Sequence, residues 1–231
     1  MTSEGTTILE HLRRVAAERE ARRADAALAA RVAAVKQYQH TRFAKTYEDM
    51  LGQPRYAAAA RFFLDDLYGP HDFAERDDQF ARIVPALVRL FPGEIVSTVQ
   101  DLAELHSISE VMDTLMARSL SDTAIDSSRY GVAWRHVGRP SERERQIALM
   151  LAVGQALDRY TRKPVLRHSL RLMRGPARAA GLGALQGFLE KGFETFREMR
   201  GAGEFLATIA TRERALATML FAGMVPASSS P

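Results

Sequence analysis

Apolar residues recur every three or four positions along most of this chain, which is the spacing of amphipathic α-helices. The most regular stripe consists of Leu182, Leu185, Leu189, Phe193 and Phe196. The sequence has no run of alternating β-branched residues and no Asn-Gly or Asp-Gly hairpin turn. The pattern therefore predicts an all-α fold, a compact bundle of about eight to ten helices separated by glycine and proline breaks.

The N-terminal part of the chain differs from the rest because its apolar stripe is interrupted. Thr7 and Glu10 have the spacing of a capping box, which predicts a helix start. The segment Glu18–Asp25 has no apolar stripe, so a helix there would be solvated on all sides or would await a partner. We therefore expect a long N-terminal helix that projects from the body, or two helices with a frayed middle.

These patterns predict three regions. Residues 1–50 are expected to form an N-terminal helical extension, and residues 51–222 a helical core domain. Residues 223–231 are rich in serine and proline and are expected to be a disordered tail.

Composition narrows the class of protein. The chain has 231 residues, of which 46% are hydrophobic, enough to bury a core. It has no cysteine, which excludes disulfides, thiolate metal sites and cysteine nucleophiles and is compatible with a reducing compartment. With no targeting segment and no apolar run long enough to span a bilayer, we expect a cytoplasmic protein without a transmembrane segment.

The string FFLDDLYG at Phe62–Gly69 resembles the signature of a bacterial family known as the FFLEELY motif proteins. Asp65 and Asp66 stand where the family name has two glutamates. The similarity extends over about residues 45–220, and it implies a bacterial helical protein but no activity, cofactor or site residue. From the residues themselves, we expect Phe63 and Leu67 to be buried together on one α-helical face.

Catalytic and metal motifs are missing. Neither of the aspartate pairs, Asp65-Asp66 and Asp77-Asp78, is followed one turn later by another carboxylate, so we predict no metal site there. The sequence also contains no serine-hydrolase, zinc-protease or phosphate-loop motif. An enzyme is therefore not the leading hypothesis, although a site formed only by tertiary contacts would escape this test.

His106 is the one residue that we single out as a possible cofactor ligand. It continues an apolar stripe, so it could be a hydrogen-bonded core residue, or a metal ligand together with Glu110 and Asp101. The surrounding LAELH string is also similar to the proximal-histidine helix of globins, which would imply haem. Against haem, Asp77 stands where a distal histidine would fall.

Charge is distributed unevenly along a chain of net charge +4. Between Arg159 and Arg178 there are seven basic residues and no acidic ones, whereas residues 62–117 hold eleven acids and three arginines. One helix face is expected to carry Lys163, Arg167, Arg171, Arg174 and Arg178. This face could pair with the acidic region, within the fold or across a dimer, or it could bind an anionic surface or partner.

The leading hypothesis is a non-enzymatic helical interaction or scaffold protein that uses this basic face to meet an anionic surface, a protein partner or a second copy. Nucleic acid is disfavoured because no helix-turn-helix, zinc or stacking-aromatic pattern accompanies the charge. The alternative is a globin-like haem-binding or metal-binding helical protein using His106. The sequence otherwise indicates no cofactor.

Overall fold

The structure is a computed structural model, and it describes residues 3–67, 69 and 73–224. Helix makes up 85% of it, in eleven α-helices and one π-helical segment, and the described residues contain no strand. The all-α prediction is therefore confirmed. The α-helices are α1 (Ser3–Ala24), α2 (Ala26–Thr46), α3 (Glu48–Leu51), α4 (Ala57–Arg61), α5 (Ala74–Leu90), α6 (Gly93–Arg118), α7 (Ser127–Val137), α8 (Pro140–Thr161), α9 (Pro164–Ala179), α10 (Gly183–Met199) and α11 (Gly203–Phe221).

Helix α6 is central to the bundle and packs against α1, α2, α7 and α8. The largest core is aromatic and includes Tyr47, Phe62, Phe63, Phe196 and Phe205. A second core surrounds Trp134 between α2, α7 and α11. A third joins α1 to α5 and α6.

The N-terminal helix does not project, contrary to our expectation. Ile8, Leu12 and Val15 are buried against α5 and α6, because a short apolar stripe at the start of α1 is enough to seat it. Helix α1 also begins at Ser3, before the predicted cap at Thr7, whose hydroxyl donates to the Ser3 carbonyl instead.

The polar half of α1 lies on the body because its cations meet buried carboxylates. Arg19 donates to Asp77 of α5 at 2.6 Å. Arg22 binds Glu110 of α6 and also donates to the Glu110 carbonyl at 2.9 Å. The chain then breaks at Asp25, whose side chain caps α2 by accepting from the Leu28 amide.

The FFLDDL segment, Phe62–Leu67, is a π-helix rather than the expected α-helix. Phe62, Phe63 and Leu64 are buried, and Leu67 packs partly buried against the same core. The next motif position, 68, lies outside the described residues.

The predicted regional boundaries divide helices that share cores. Phe43, Tyr47 and Met50 pack in the same core as Phe63 and Phe205, so residues 1–50 and 51–222 meet in one apolar cluster. Most of the predicted tail, from residue 225 onward, lies outside the described residues.

Candidate functional site

Helix α9 carries the predicted basic face and lies at the edge of the bundle. Pro164 occupies its first turn, where a missing amide hydrogen costs nothing. Among the described helices, α9 packs mainly against α10 and α8, and Ala177 is the one residue of α9 that is fully buried. Leu166 and Leu170 face the bundle, partly buried beside Tyr160 and Phe193. Apart from Arg167, which is partly buried, the other residues of α9 are exposed to solvent.

The outer side of α9 is apolar as well as basic. Val165 is 74% exposed and Leu172 is 78% exposed, and their separation by seven residues, about two turns, places them on one face. Met173, which the sequence groups with the inward Leu166 and Leu170, is 52% exposed. Large apolar side chains exposed side by side mark an interaction surface more often than scattered ones do.

Two of the five predicted basic residues pair with carboxylates of the fold. Lys163 donates to Glu94 at 2.5 Å, which joins α9 to the acid-rich region. Arg174 holds Glu190 of α10 through its Nε and a terminal nitrogen, at 3.0 and 2.9 Å. These cations are about half exposed, so each pair is a surface pair that contributes little to stability.

The other three, Arg167, Arg171 and Arg178, have no carboxylate within 4 Å among the described residues. A hydrogen bond from Arg197 lowers the pKa of Glu194, and the nearby charges of Arg167 and Arg171 add a smaller effect in the same direction. Internal pairing therefore accounts for part of the predicted basic face. Arg171 and Arg178 are exposed, whereas Arg167 is partly buried and its Nε is enclosed without an acceptor among the described residues.

We define the α9 surface as these three arginines together with Val165 and Leu172. The basic part could be read from the sequence, since charge at steps of three or four stays on one helix face. The apolar part could not, because a valine and a leucine two turns apart are equally compatible with a buried face.

His106 is held by a buried carboxylate. Its Nε2 lies 2.7 Å from Asp77 Oδ2, which joins α6 to α5. Asp77 also contacts Arg19 at 2.6 Å and Arg76 at 3.6 Å. Burial opposes ionisation of this carboxyl, but His106 and then the two arginines outweigh burial and lower the pKa of Asp77.

This geometry does not fit a haem or metal role for His106. The ring nitrogen that would bind iron is already engaged by Asp77. Of the other two proposed metal ligands, Glu110 and Asp101, Glu110 is bound by Arg22 and Lys36. In the part of the chain that the structure describes, no group of three or more His, Asp or Glu side chains could hold a metal ion. The globin-like hypothesis stays a prediction without geometric support.

A comparison with known protein families shows which family the chain belongs to. Residues 18–226 match the family described as Domain of unknown function (DUF8198). The chain belongs to this family. No curated protein and no solved structure matches it. The DUF8198 match does not bear on the FFLEELY resemblance, which stays a prediction based on the motif.

Proposed function

We propose that this DUF8198 protein is a non-enzymatic interaction protein that binds anionic membrane surfaces reversibly through the α9 surface. The observation that supports it is that one edge helix exposes Val165 and Leu172 and also carries Arg167 and Arg171. Apolar residues can enter the interface between headgroups and acyl chains while arginines bind acidic headgroups. Within the described residues no helix is long and apolar enough to cross a bilayer, so the proposal concerns the membrane surface.

The position of the α9 surface favours a lipid surface over an acidic protein partner. The α9 surface is on the outside of an edge helix, and a fluid membrane accepts a convex surface without a matching groove. The expected strength is modest, because each arginine near an anionic surface contributes about 1 kcal/mol. The binding should therefore be reversible and should weaken as salt screens the charges.

Cosedimentation with vesicles tests this proposal. Wild type should sediment with phosphatidylglycerol vesicles at low salt and not with phosphatidylcholine vesicles. The double variant R167Q/R171Q should bind about 30-fold more weakly, since two arginines contribute about 2 kcal/mol. The matched control is R13Q/R14Q, which removes the same charge from exposed positions on α1. Replacing Leu172 with serine should weaken binding without changing net charge.

R13Q/R14Q and the Leu172 variant should melt like wild type, because these side chains are exposed. Arg167 is partly buried, so binding by R167Q/R171Q is measured at a temperature where its melting curve shows it folded. The proposal would be contradicted if wild type did not sediment with phosphatidylglycerol vesicles at low salt. An equal loss in R167Q/R171Q and R13Q/R14Q would show that only net charge matters, which would also contradict it.

A further inference from the structure

Arg143 of α8 is a charged side chain in an apolar setting. The residue is 4% exposed, and its guanidinium lies over the Trp134 ring, 3.9 Å from the ring centroid. Among the described residues, the guanidinium makes one hydrogen bond, from a terminal nitrogen to Gln146 Oε1 at 3.4 Å. Among the described residues no carboxylate lies within 4 Å of it.

The opposite edge of the guanidinium has no partner. Nε and the terminal nitrogen NH2 of Arg143 are both buried, and neither has a hydrogen-bond acceptor among the described residues. Burial lowers the pKa of Arg143, and Asp113 offsets this only through its charge at a distance. Arginine stays protonated in proteins, so Arg143 does not lose its charge on burial. A buried charge without a partner is unfavourable, and an anion bound next to it would remove that cost.

The same edge binds carboxylates elsewhere in this molecule. Arg145, Arg174 and Arg214 each use Nε and NH2 together to hold one glutamate, at donor–acceptor distances of 2.5 to 3.2 Å. This side-on fork matches the two oxygens of a carboxylate. Arg143 presents the fork without the glutamate.

A cavity of about 80 Å³ lies at this position, between α2, α7, α8 and α11. Arg143, Trp134 and Arg42 line it, and Trp134 Nε1 and Arg42 Nε are further buried donors without acceptors among the described residues. Arg42 is already neutralised by Glu213 at 2.6 Å, so one uncompensated positive charge remains, on Arg143.

The apolar residues that line the cavity indicate which kind of anion would fit it. Phe43, Ile147, Met150 and Leu216 also line the cavity, and we call these four residues its apolar wall. A bare inorganic anion would leave this wall without contacts, whereas a short hydrocarbon chain would cover it. The volume admits only a ligand of a few heavy atoms.

We propose that this cavity binds a small organic carboxylate, with the carboxylate on the Nε and NH2 edge of Arg143 and a short apolar chain against Ile147 and Leu216. The site is separate from the α9 surface, so its test is independent of membrane binding.

Trp134 makes the test specific, because it is the only tryptophan in the chain and it lines the cavity. Titration with butyrate should change its fluorescence saturably and raise the melting temperature in step. Butyramide, a neutral analogue of the same shape, should do neither at the same concentrations. Phosphate should not compete with butyrate.

Two variants locate the effect. R143M keeps an apolar side chain over Trp134 and removes the two donors that would hold the carboxylate. The butyrate concentration needed for half-saturation should therefore rise at least about tenfold. R145M is the matched control, because Arg145 is half exposed and pairs with Glu104, and it should leave the titration unchanged. If R143M fails to fold, A217L fills the cavity with Arg143 in place and should abolish the butyrate response.

Three results would overturn the proposal. The first is wild-type fluorescence that does not saturate with butyrate, or that responds equally to butyramide. The second is a response to phosphate that matches or exceeds that to butyrate. The third is a folded R143M, or in its place a folded A217L, that binds butyrate as wild type does.

Discussion

Replacing Glu110 with glutamine removes the carboxylate that holds the two N-terminal helices on α6. The Glu110 side chain is 5% exposed. One of its oxygens accepts from Lys36 of α2 at 2.5 Å, and the other accepts from Arg22 of α1. E110Q keeps the shape of the side chain but leaves Arg22 without a carboxylate among the described residues, and leaves Lys36 with only the more distant Asp113, at 3.8 Å.

The size of the effect follows from the pKa of the carboxyl group. Burial by itself raises the pKa of Glu110, but Lys36 and then Arg22 outweigh it and lower the pKa from 4.5 to about 2. A shift of this size corresponds to about 3 kcal/mol of stability at pH 7. Removing one partner of a buried ion pair has a cost of the same order.

The sign of the pH dependence is fixed by the direction of the shift. Because the folded state lowers the pKa, this stabilisation is fully present above the unfolded value of 4.5 and is lost as the pH falls toward 2. At pH 3 about 1 kcal/mol of it should remain. The stability difference between wild type and E110Q should therefore shrink between pH 7 and pH 3.

Urea unfolding at both pH values measures this difference. E144Q is the control, because Glu144 pairs with Arg214 on the surface with both side chains about half exposed. It should cost less than about 1 kcal/mol at either pH. A wild-type–E110Q difference that is the same at pH 7 and pH 3 would refute the assignment of Glu110 as the buried anion of this cluster.

Two further predictions concern packing. L12A should lower the free energy of unfolding by about 2–5 kcal/mol in urea titrations, because Leu12 is buried in the core that joins α1 to α5 and α6; a projecting helix would instead show almost no loss. G192A should cost about 1–3 kcal/mol, since its added Cβ would lie 2.8 Å from the Phe62 ring, whereas G187A, with nothing within 4 Å, should be neutral or stabilising by up to about 1 kcal/mol. Equal melting temperatures for G192A and G187A would show that the Phe62 contact is not tight.

The helices of this protein could be predicted from local sequence. Leu185, Phe193 and Phe196 of the predicted stripe lie on the buried face of α10, because a helix brings residues three and four apart together, whereas Leu189 of the same stripe is 38% exposed. The same rule put Arg167 and Arg171 on one side of α9. The burial of Phe63 also followed from its local pattern, although the π register of its segment did not.

What the polar residues bind was decided only by tertiary structure. Arg22 and Glu110 are 88 positions apart, and no local pattern indicates that they meet. For this reason the polar half of α1 gave the wrong impression of a solvated, projecting helix. Arg143 shows the reverse case: it lies in a helix with acidic neighbours in the sequence, yet the fold buries it away from them. Periodicity is a property of one helix, whereas the compensation of a charge depends on which helices come together.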